Sequence, residues 1–308
     1  MIYDAWPAAM TIRIGTSERG GTFDSQGRAL KLILDRRRLL APVEVLVSNS
    51  ASIENANRLD AGEIEFGFMA ANWIGRARNG EPPFSRPIEI RMAAPMNAGP
   101  LFFIVRAEAP IRSVADLRGR RVALGIRTSG MVQHAHSIFG ALGLSFSGLS
   151  PVYLDFAAGA DALAAGEVDA QFQCPIPNKV MTDLARRTAV RVLPYAPGQL
   201  EAVMQAVSFY RPTVMRKGAI HGLDADLPQI AVVNVLATHR GVSEAVVRDA
   251  VTAILSSSNE LGRLNPLFLG LDELFQPLRS EGPAALEFGG VKLHPGALAA
   301  YRNAGFLA

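Results

Sequence analysis

Two glycine-bearing segments carry the residue types best suited to holding an anion. In Ser17-Glu18-Arg19-Gly20-Gly21-Thr22 and in Arg127-Thr128-Ser129-Gly130-Met131, small polar residues and glycines stand directly before a helical run. A helix start leaves its first backbone N–H groups without intrahelical partners and carries the positive end of the peptide dipoles, so an anion is stabilised there. The donors would be the amides and hydroxyls of Ser17, Gly20, Gly21 and Thr22 in the first segment and of Thr128, Ser129, Gly130 and Met131 in the second. Arg127 would add a bidentate charged contact. Either loop alone reads equally well as a tight strand-to-helix turn or as a ligand site; two such loops facing each other favour binding, and favour a carboxylate.

Other chemistry finds less support. Gly125 to Gly130 has the glycine spacing of a phosphate-binding P-loop but continues Met131-Val132 instead of Lys-Ser/Thr, and no dinucleotide glycine fingerprint occurs. His134 and His136 stand two apart on a predicted helix and point to different faces, which is unsuited to a shared metal ion. Cys174, the single cysteine, excludes an internal disulfide and a multi-thiolate site; with no identifiable base nearby it reads as a small buried filler. Glu63, Glu65, Glu167 and Asp169 resemble acid and base pairs, but they precede strands. That places them at the sheet end opposite a ligand cleft, since ligands gather at the carboxyl ends of parallel strands. Trp73, Phe23, Phe209 and Tyr210 read as core or hinge aromatics, one or two of which would wall a pocket. No metal and no cofactor is expected.

The elements that must position the two loops occur twice. Leu59-Asp60-Ala61-Gly62-Glu63-Ile64-Glu65-Phe66-Gly67-Phe68 returns as Leu163-Ala164-Ala165-Gly166-Glu167-Val168-Asp169-Ala170-Gln171-Phe172, each a helix, a glycine stop and a strand. Upstream, Ile12–Gly15 and Val122–Gly125 read as strands running into the glycine loops, and Val43–Val47 and Pro151–Leu154 as second strands. The repeated strand-helix-strand-helix-strand order favours parallel sheets covered by helices. The reading is α/β: two similar lobes with mainly parallel central sheets, joined by hinge strands, with a cleft between them. Lobe one takes residues 10–98 and 206–308, lobe two residues 99–205. Predicted strands fall at 11–15, 43–48, 64–69, 151–155, 168–173 and 190–194, and predicted helices at 22–38, 52–61, 130–142, 158–165 and 178–187. Two extended runs, Ile88 to Pro95 and Leu101 to Val105, flank Asn97-Ala98-Gly99-Pro100, a crossing point between the lobes and the first hinge candidate. Ser113-Val114-Ala115-Asp116 is a capping-box pattern.

The chain of 308 residues, 49% hydrophobic and 19% charged, is long enough for two cores, and disorder is not expected. Its net charge of +3 is spread over separated arginine clusters, including Arg36-Arg37-Arg38, so no nucleic acid is expected as a partner. No apolar run reaches bilayer length, so no direct membrane insertion is expected, and residues 1–10 lack the pattern of a secretory signal. The chain reads either as cytoplasmic or as a mature form whose leader has been removed.

On Ile14-Gly15-Thr16, Gly20-Gly21-Thr22-Phe23, Ser52-Ile53-Glu54-Asn55, the Leu59-to-Phe68 segment, Ser113 to Val122, Asp161 to Phe172 and the ending Leu293-His294-Pro295-Gly296-Ala297 with Tyr301, the chain resembles the solute-binding proteins of TRAP transporters, TAXI subfamily. The glycine loop together with the Leu-His-Pro-Gly-Ala ending is the more specific part. The resemblance implies a type II periplasmic-binding-protein-like fold and capture of a small organic acid or amino acid, glutamate-like, for delivery to TRAP-type permease subunits. It implies a periplasmic location and no catalysis. Carried over position by position, it implies pocket roles for Gly20, Gly21, Thr22 and Phe23, for Thr128, Ser129 and Gly130, for Phe172, Gln173 and Pro175, and for Tyr210. The sequence departs from the subfamily pattern at Glu18-Arg19, where small residues are usual, at Asp24, where an aromatic is common, and at Arg28, where glycine is common. The alternatives on the same architecture are a small-molecule enzyme, decarboxylase or thiamine-precursor synthase-like, and a cytoplasmic ligand sensor.

Overall fold

The computed structural model describes residues 11–19, 21–37, 41–127, 129–173 and 176–308. The chain divides into two compact units, one of residues up to Ala98 together with Val233–Ala308, the other Gly99–Val232. In chain order, the first unit begins with β1 (Ile12–Gly15), α1 (Thr22–Arg37), β2 (Val43–Leu46), α2 (Ser52–Asp60), β3 (Phe66–Ala70), α3 (Ala71–Asn79) and the start of β4 (Ile90–Arg106). The second holds the rest of β4, then β5 (Arg121–Ala123), α4 (Gly130–Ala141), β6 (Ser150–Val152), α5 (Phe156–Ala165), β7 (Ala170–Gln173), α6 (Lys179–Arg187), β8 (Val190–Val192), α7 (Gln199–Ala206), β9 (Tyr210–Met215) and the first part of β10 (Leu227–His239). The first unit closes with α8 (Glu244–Ser256), α9 (Ser258–Leu264), α10 (Leu278–Glu281) and α11 (Pro295–Asn303).

Each unit is an α/β layer structure built on three parallel strands. In the first, β1 lies parallel between β2 and β3, and β10 pairs antiparallel with β3. In the second, β5 lies parallel between β6 and β7, and β4 pairs antiparallel with β7 and β8. The inward strand residues are fully buried: Ile12, Ile14, Phe66 and Phe68 in one core, Phe102, Phe103, Ile104 and Phe172 in the other.

The repeated decapeptide makes the same local structure in both units. Gly62 (φ 69°) and Gly166 (φ 79°) take the left-handed conformation that ends α2 and α5. The acidic residue three positions later reaches the arginine at the start of the central strand, with matching geometry. Arg13 donates from its backbone N–H to Glu65 at 2.7 Å and from its guanidinium to Glu65 at 2.8 Å and to the Gly62 carbonyl at 3.0 Å. Arg121 does the same to Asp169 at 2.8 and 2.8 Å and to the Gly166 carbonyl at 3.0 Å. This clasp ties strand to strand at the amino-terminal edge of each sheet. The Arg121 guanidinium, through its hydrogen bond, holds the Asp169 carboxyl below its ordinary value. Glu65 and Asp169 are therefore committed to structure, away from the carboxyl edge where the glycine loops lie.

Asn97-Ala98-Gly99-Pro100, where the chain passes from one unit to the other, lies inside β4, which runs unbroken for 17 residues. Asn97 is buried, and its Oδ1 accepts hydrogen bonds from Gln26 (3.0 Å) and Asn234 (3.2 Å), so its amide is satisfied without bending the chain. The second crossing lies within β10 at residues 232–233, not at 206. Residues 206–232 stay with the second unit because β9 and β10 form an antiparallel pair, from Tyr210↔Val232 to Leu227↔Met215, and Met215, Ile220 and Leu223 fill the second core. The repeated strands begin at Phe66 and Ala170, two residues later than predicted: Ile64 and Val168 are buried in the loop that carries the clasp.

The Ser113 capping box is formed, with the Ser113 N–H donating to Asp116 at 2.9 Å, and it opens a single 3₁₀ turn. The Leu293-to-Ala297 ending is a helix-packing device. His294 caps α11, its Nδ1 accepting from the Gly296 N–H at 3.1 Å. A Cβ on Gly296 would stand 2.3 Å from the Glu244 carbonyl oxygen, so only glycine lets α11 lie this close to α8.

Candidate functional site

Three elements of the second unit converge at the carboxyl edge of its sheet: the end of β5, the start of α4 and the end of β7. Ala123 pairs with Gln171, so the register carried two residues further sets Gly125 level with Gln173. Gly125 has φ 90°, and a Cβ there would meet the Ser129 hydroxyl at 2.9 Å; the left-handed turn folds Ser129 back over the strand end. Ser129 precedes α4 and its hydroxyl caps no backbone N–H. Its Oγ is buried with no hydrogen-bond partner among the described residues, and the same is true of both amide atoms of the fully buried Gln173.

A buried polar atom without a partner costs about 1–3 kcal/mol, so three of them at one strand edge form a preorganised but unanswered set. α4 carries no acidic residue in its first turn, which leaves the positive end of its dipole unopposed. The arrangement can accept a small anion bearing a further polar group: hydroxyl and amides to the charged oxygens, the Gln173 amide to the remainder. Gly130 and Met131 form the first turn, with Met131 buried. Arg127 is exposed and stacks over Tyr153, its guanidinium 4.0 Å from the ring centroid.

The corresponding loop of the first unit is furnished differently. Ser17 is buried; its hydroxyl accepts the Asp24 N–H at 3.2 Å, and the Gly21 N–H donates to the Glu18 carbonyl at 2.9 Å. A Cβ at Gly21 would lie 2.5 Å from the Ser17 hydroxyl, so glycine lets the turn close over it. Asp24 stands buried in the first turn of α1 and pairs with Arg28 one turn on, 3.0 Å apart. The two departures noted at Asp24 and Arg28 are thus one i,i+4 ion pair. The carboxylate occupies the end of α1 where an external anion would otherwise be favoured. Below the loop, Asn55 donates to the carbonyls of Thr16 (2.8 Å) and Phe68 (2.9 Å), lacing β1 to β3.

The remaining expected positions fall as follows. Thr22 opens α1 and is half-buried. Phe23 stacks on Phe68 and Phe172 on Phe103, at 5.7 and 4.4 Å between centroids, so both aromatic rings serve their unit's core. Tyr210 is buried, its hydroxyl 2.8 Å from His134 Nδ1. Burial without a charged neighbour pushes the His134 imidazole down to about 4, so it stays neutral. His136 faces elsewhere and stacks on Phe146. Gly20, Thr128 and Pro175, and the reading of Cys174 as a filler, lie outside the described residues.

Sequence reasoning passed over Gln171, Gly159 and Tyr195. Gln171 is buried beside the strand end, its Nε2 donating to the Phe156 carbonyl at 2.8 Å, and a Cβ on Gly159 would meet that nitrogen at 2.7 Å. The Tyr195 hydroxyl is buried without a partner among the described residues, and burial pushes its phenol up. The signal for the glutamines was present: two amides alternating within Ala170-Gln171-Phe172-Gln173 face the same side of a buried strand. Among the described residues no group of three metal-ligating side chains occurs, and no helix is long and apolar enough to cross a membrane. Two recesses of about 300 Å³ open on the first unit, and neither includes a glycine-loop residue.

A family model for the NMT1-like family matches residues 14–305, which takes in both glycine loops, the Arg121–Asp169 clasp and the α11 motif. The chain belongs to the NMT1-like family. Among solved structures, this NMT1-like chain is similar to a putative sulfonate ABC transporter, periplasmic sulfonate-binding protein from Methylobacillus flagellatus KT. The identity is 15%, 96% of this chain and 95% of that one are covered, and the TM-score is 0.59. It is also similar to a TctC solute binding protein from Polaromonas, at 18% identity over 85% of this chain and 88% of that one, TM-score 0.53. At these identities the likeness is one of fold, and the NMT1-like chain shares the periplasmic-binding-protein α/β architecture.

Proposed function

We propose that this NMT1-like chain is a solute-binding protein that captures a small organic acid and releases it unchanged. The carrying observation is the second unit's carboxyl edge, where the Ser129 hydroxyl and the Gln173 amide are buried without partners among the described residues, beside a helix with no acidic residue in its first turn. A turnover site would need an acid or base there; the acidic residues of the repeat are held in clasps at the other edge.

The reading extends to the chemistry of the guest and its destination. An amino acid or short dicarboxylate, glutamate-like, supplies both the anion that α4 and Ser129 favour and further polar atoms for Gln173. The TAXI-like motifs support delivery to a TRAP-type permease from a periplasmic location, while the sulfonate-binding neighbour makes a sulfonate the other acid group to test.

Isothermal titration of folded protein with L-glutamate, L-glutamine, succinate, 2-oxoglutarate and taurine tests the proposal. Saturable binding of one acid, recovered intact by mass spectrometry, is the expected result. A folded sample that binds none of them saturably, or that returns a chemically altered molecule, overturns it.

A further inference from the structure

Arg78, Ile88, Glu89, Arg91, Gly290 and Lys292 line a recess of about 300 Å³ on the first unit. Its walls are the last turn of α3, the approach to β4 and a 3₁₀ turn, Phe288–Gly290. The construction is specific. Gly289 and Gly290 both take left-handed conformations, φ 57° and 73°. A Cβ on Gly289 would stand 2.6 Å from the Gly75 Cα, so the turn sits directly on the α3 backbone. A Cβ on Gly290 would stand 2.6 Å from Arg78 Nη1, so the guanidinium lies across bare backbone. The other wall is pinned to β4 by a parallel bridge between Met92 and Leu293, with the Met92 N–H donating to the Lys292 carbonyl at 2.9 Å.

The charge of this recess is not balanced from within. Arg91 lies 3.5 Å from Glu89, which also serves Arg240 at 3.6 Å, and Lys292 pairs with Glu287 at 2.7 Å. Arg78 has no carboxylate partner among the described residues. Four cations therefore share two carboxylates, and the least satisfied of them is the exposed Arg78 guanidinium beside the Gly290 backbone. A recess lined by three cations suits an oxyanion of charge near two, because a guanidinium binds phosphate oxygens in bidentate fashion. The volume matches a compact guest at the lower end of small-molecule sites.

We propose that this recess is a second ligand site, separate from the glycine loops, for a phosphate-type oxyanion, either inorganic phosphate or a small phosphate monoester. The inference is independent of what the loops bind. Titrations followed by calorimetry and ³¹P NMR, one with inorganic phosphate and one with glycerol 3-phosphate, test it and distinguish the two sources. Saturable binding in either arm, weakened at least tenfold by Arg78→Ala, weakened also by Lys292→Ala and unchanged by Ser129→Ala, is expected. The Arg78 and Lys292 side chains are exposed, and circular dichroism verifies that each of the three variants is folded. Absence of saturable binding to folded wild-type protein in both arms overturns the proposal. So does binding that survives Arg78→Ala and is lost with Ser129→Ala, which would assign the phosphate to the second unit's loop.

Discussion

Replacing Ser129 with alanine should move stability and ligand affinity in opposite directions. In the ligand-free protein the Ser129 hydroxyl is buried, caps nothing and has no partner among the described residues. Such a group costs about 1–3 kcal/mol relative to a satisfied one. Alanine removes the hydroxyl without opening a cavity larger than one oxygen, so the variant should be as stable as the parent or up to about 1–3 kcal/mol more stable, a rise in Tm of a few degrees. With ligand present the hydroxyl becomes a donor to an anion. A hydrogen bond to a charged group contributes about 1.5–3 kcal/mol, so affinity should fall by about ten- to a hundredfold. Urea titration monitored by circular dichroism measures the first quantity and calorimetry with the best acid from the panel measures the second. A variant that is less stable by more than about 1 kcal/mol and binds the acid as tightly as the parent refutes the reasoning, because the hydroxyl would then serve the fold alone.

Other perturbations have equally definite signs. The unfolded chain takes up a proton at His134 near the ordinary 6.5 while the folded protein resists until about 4, so stability should fall by about 3 kcal/mol as pH drops through that window and level off below it. His134→Leu should flatten that slope in urea titrations at pH 7.5 and 4.5; an unchanged slope counts against a buried neutral imidazole. Asp169, held below 3.8 chiefly by its hydrogen bond to Arg121, contributes stability above that value that is lost as pH falls through its lowered folded value. Asp169→Asn should lower stability at pH 7 and diminish the acid-induced loss below about pH 4, as read by acid unfolding curves. Gly296→Ala should destabilise by about 1–3 kcal/mol, since its Cβ meets backbone atoms of α8 that have nowhere to go. Gly140→Ala, helical and with open space around it, should gain about 0.4–1 kcal/mol; equal Tm values for the two variants would contradict the close helix contact.

The parts of this protein that the sequence announced are those decided by local rules. Gly62 and Gly166 stop helices because a left-handed residue follows each helical run, and the parallel core strands follow from the order of apolar segments. The glycine loops were visible because small polar residues before a helix have few other uses. What stayed hidden depends on distant partners. Asn97-Ala98-Gly99-Pro100 carries turn residues, yet Gln26 and Asn234, far away along the chain, satisfy Asn97 and keep the strand extended. The β9–β10 pair was assigned to the wrong unit because which core Met215 and Leu223 enter is a tertiary fact. The unequal furnishing of the two loops was equally invisible: Asp24 and Arg28 read separately as departures, and only coordinates show them as one pair over a helix start.

The twin clasps have a practical corollary. Each fastens two strands through one arginine and one acid at the edge that the proposed site does not use, so guest recognition can be rewritten at Ser129 and Gln173 without touching the fastening. A scaffold of that kind lends itself to retargeting: an analytical sensor for a different acid would be sought by recoding one rim and leaving the hem sewn.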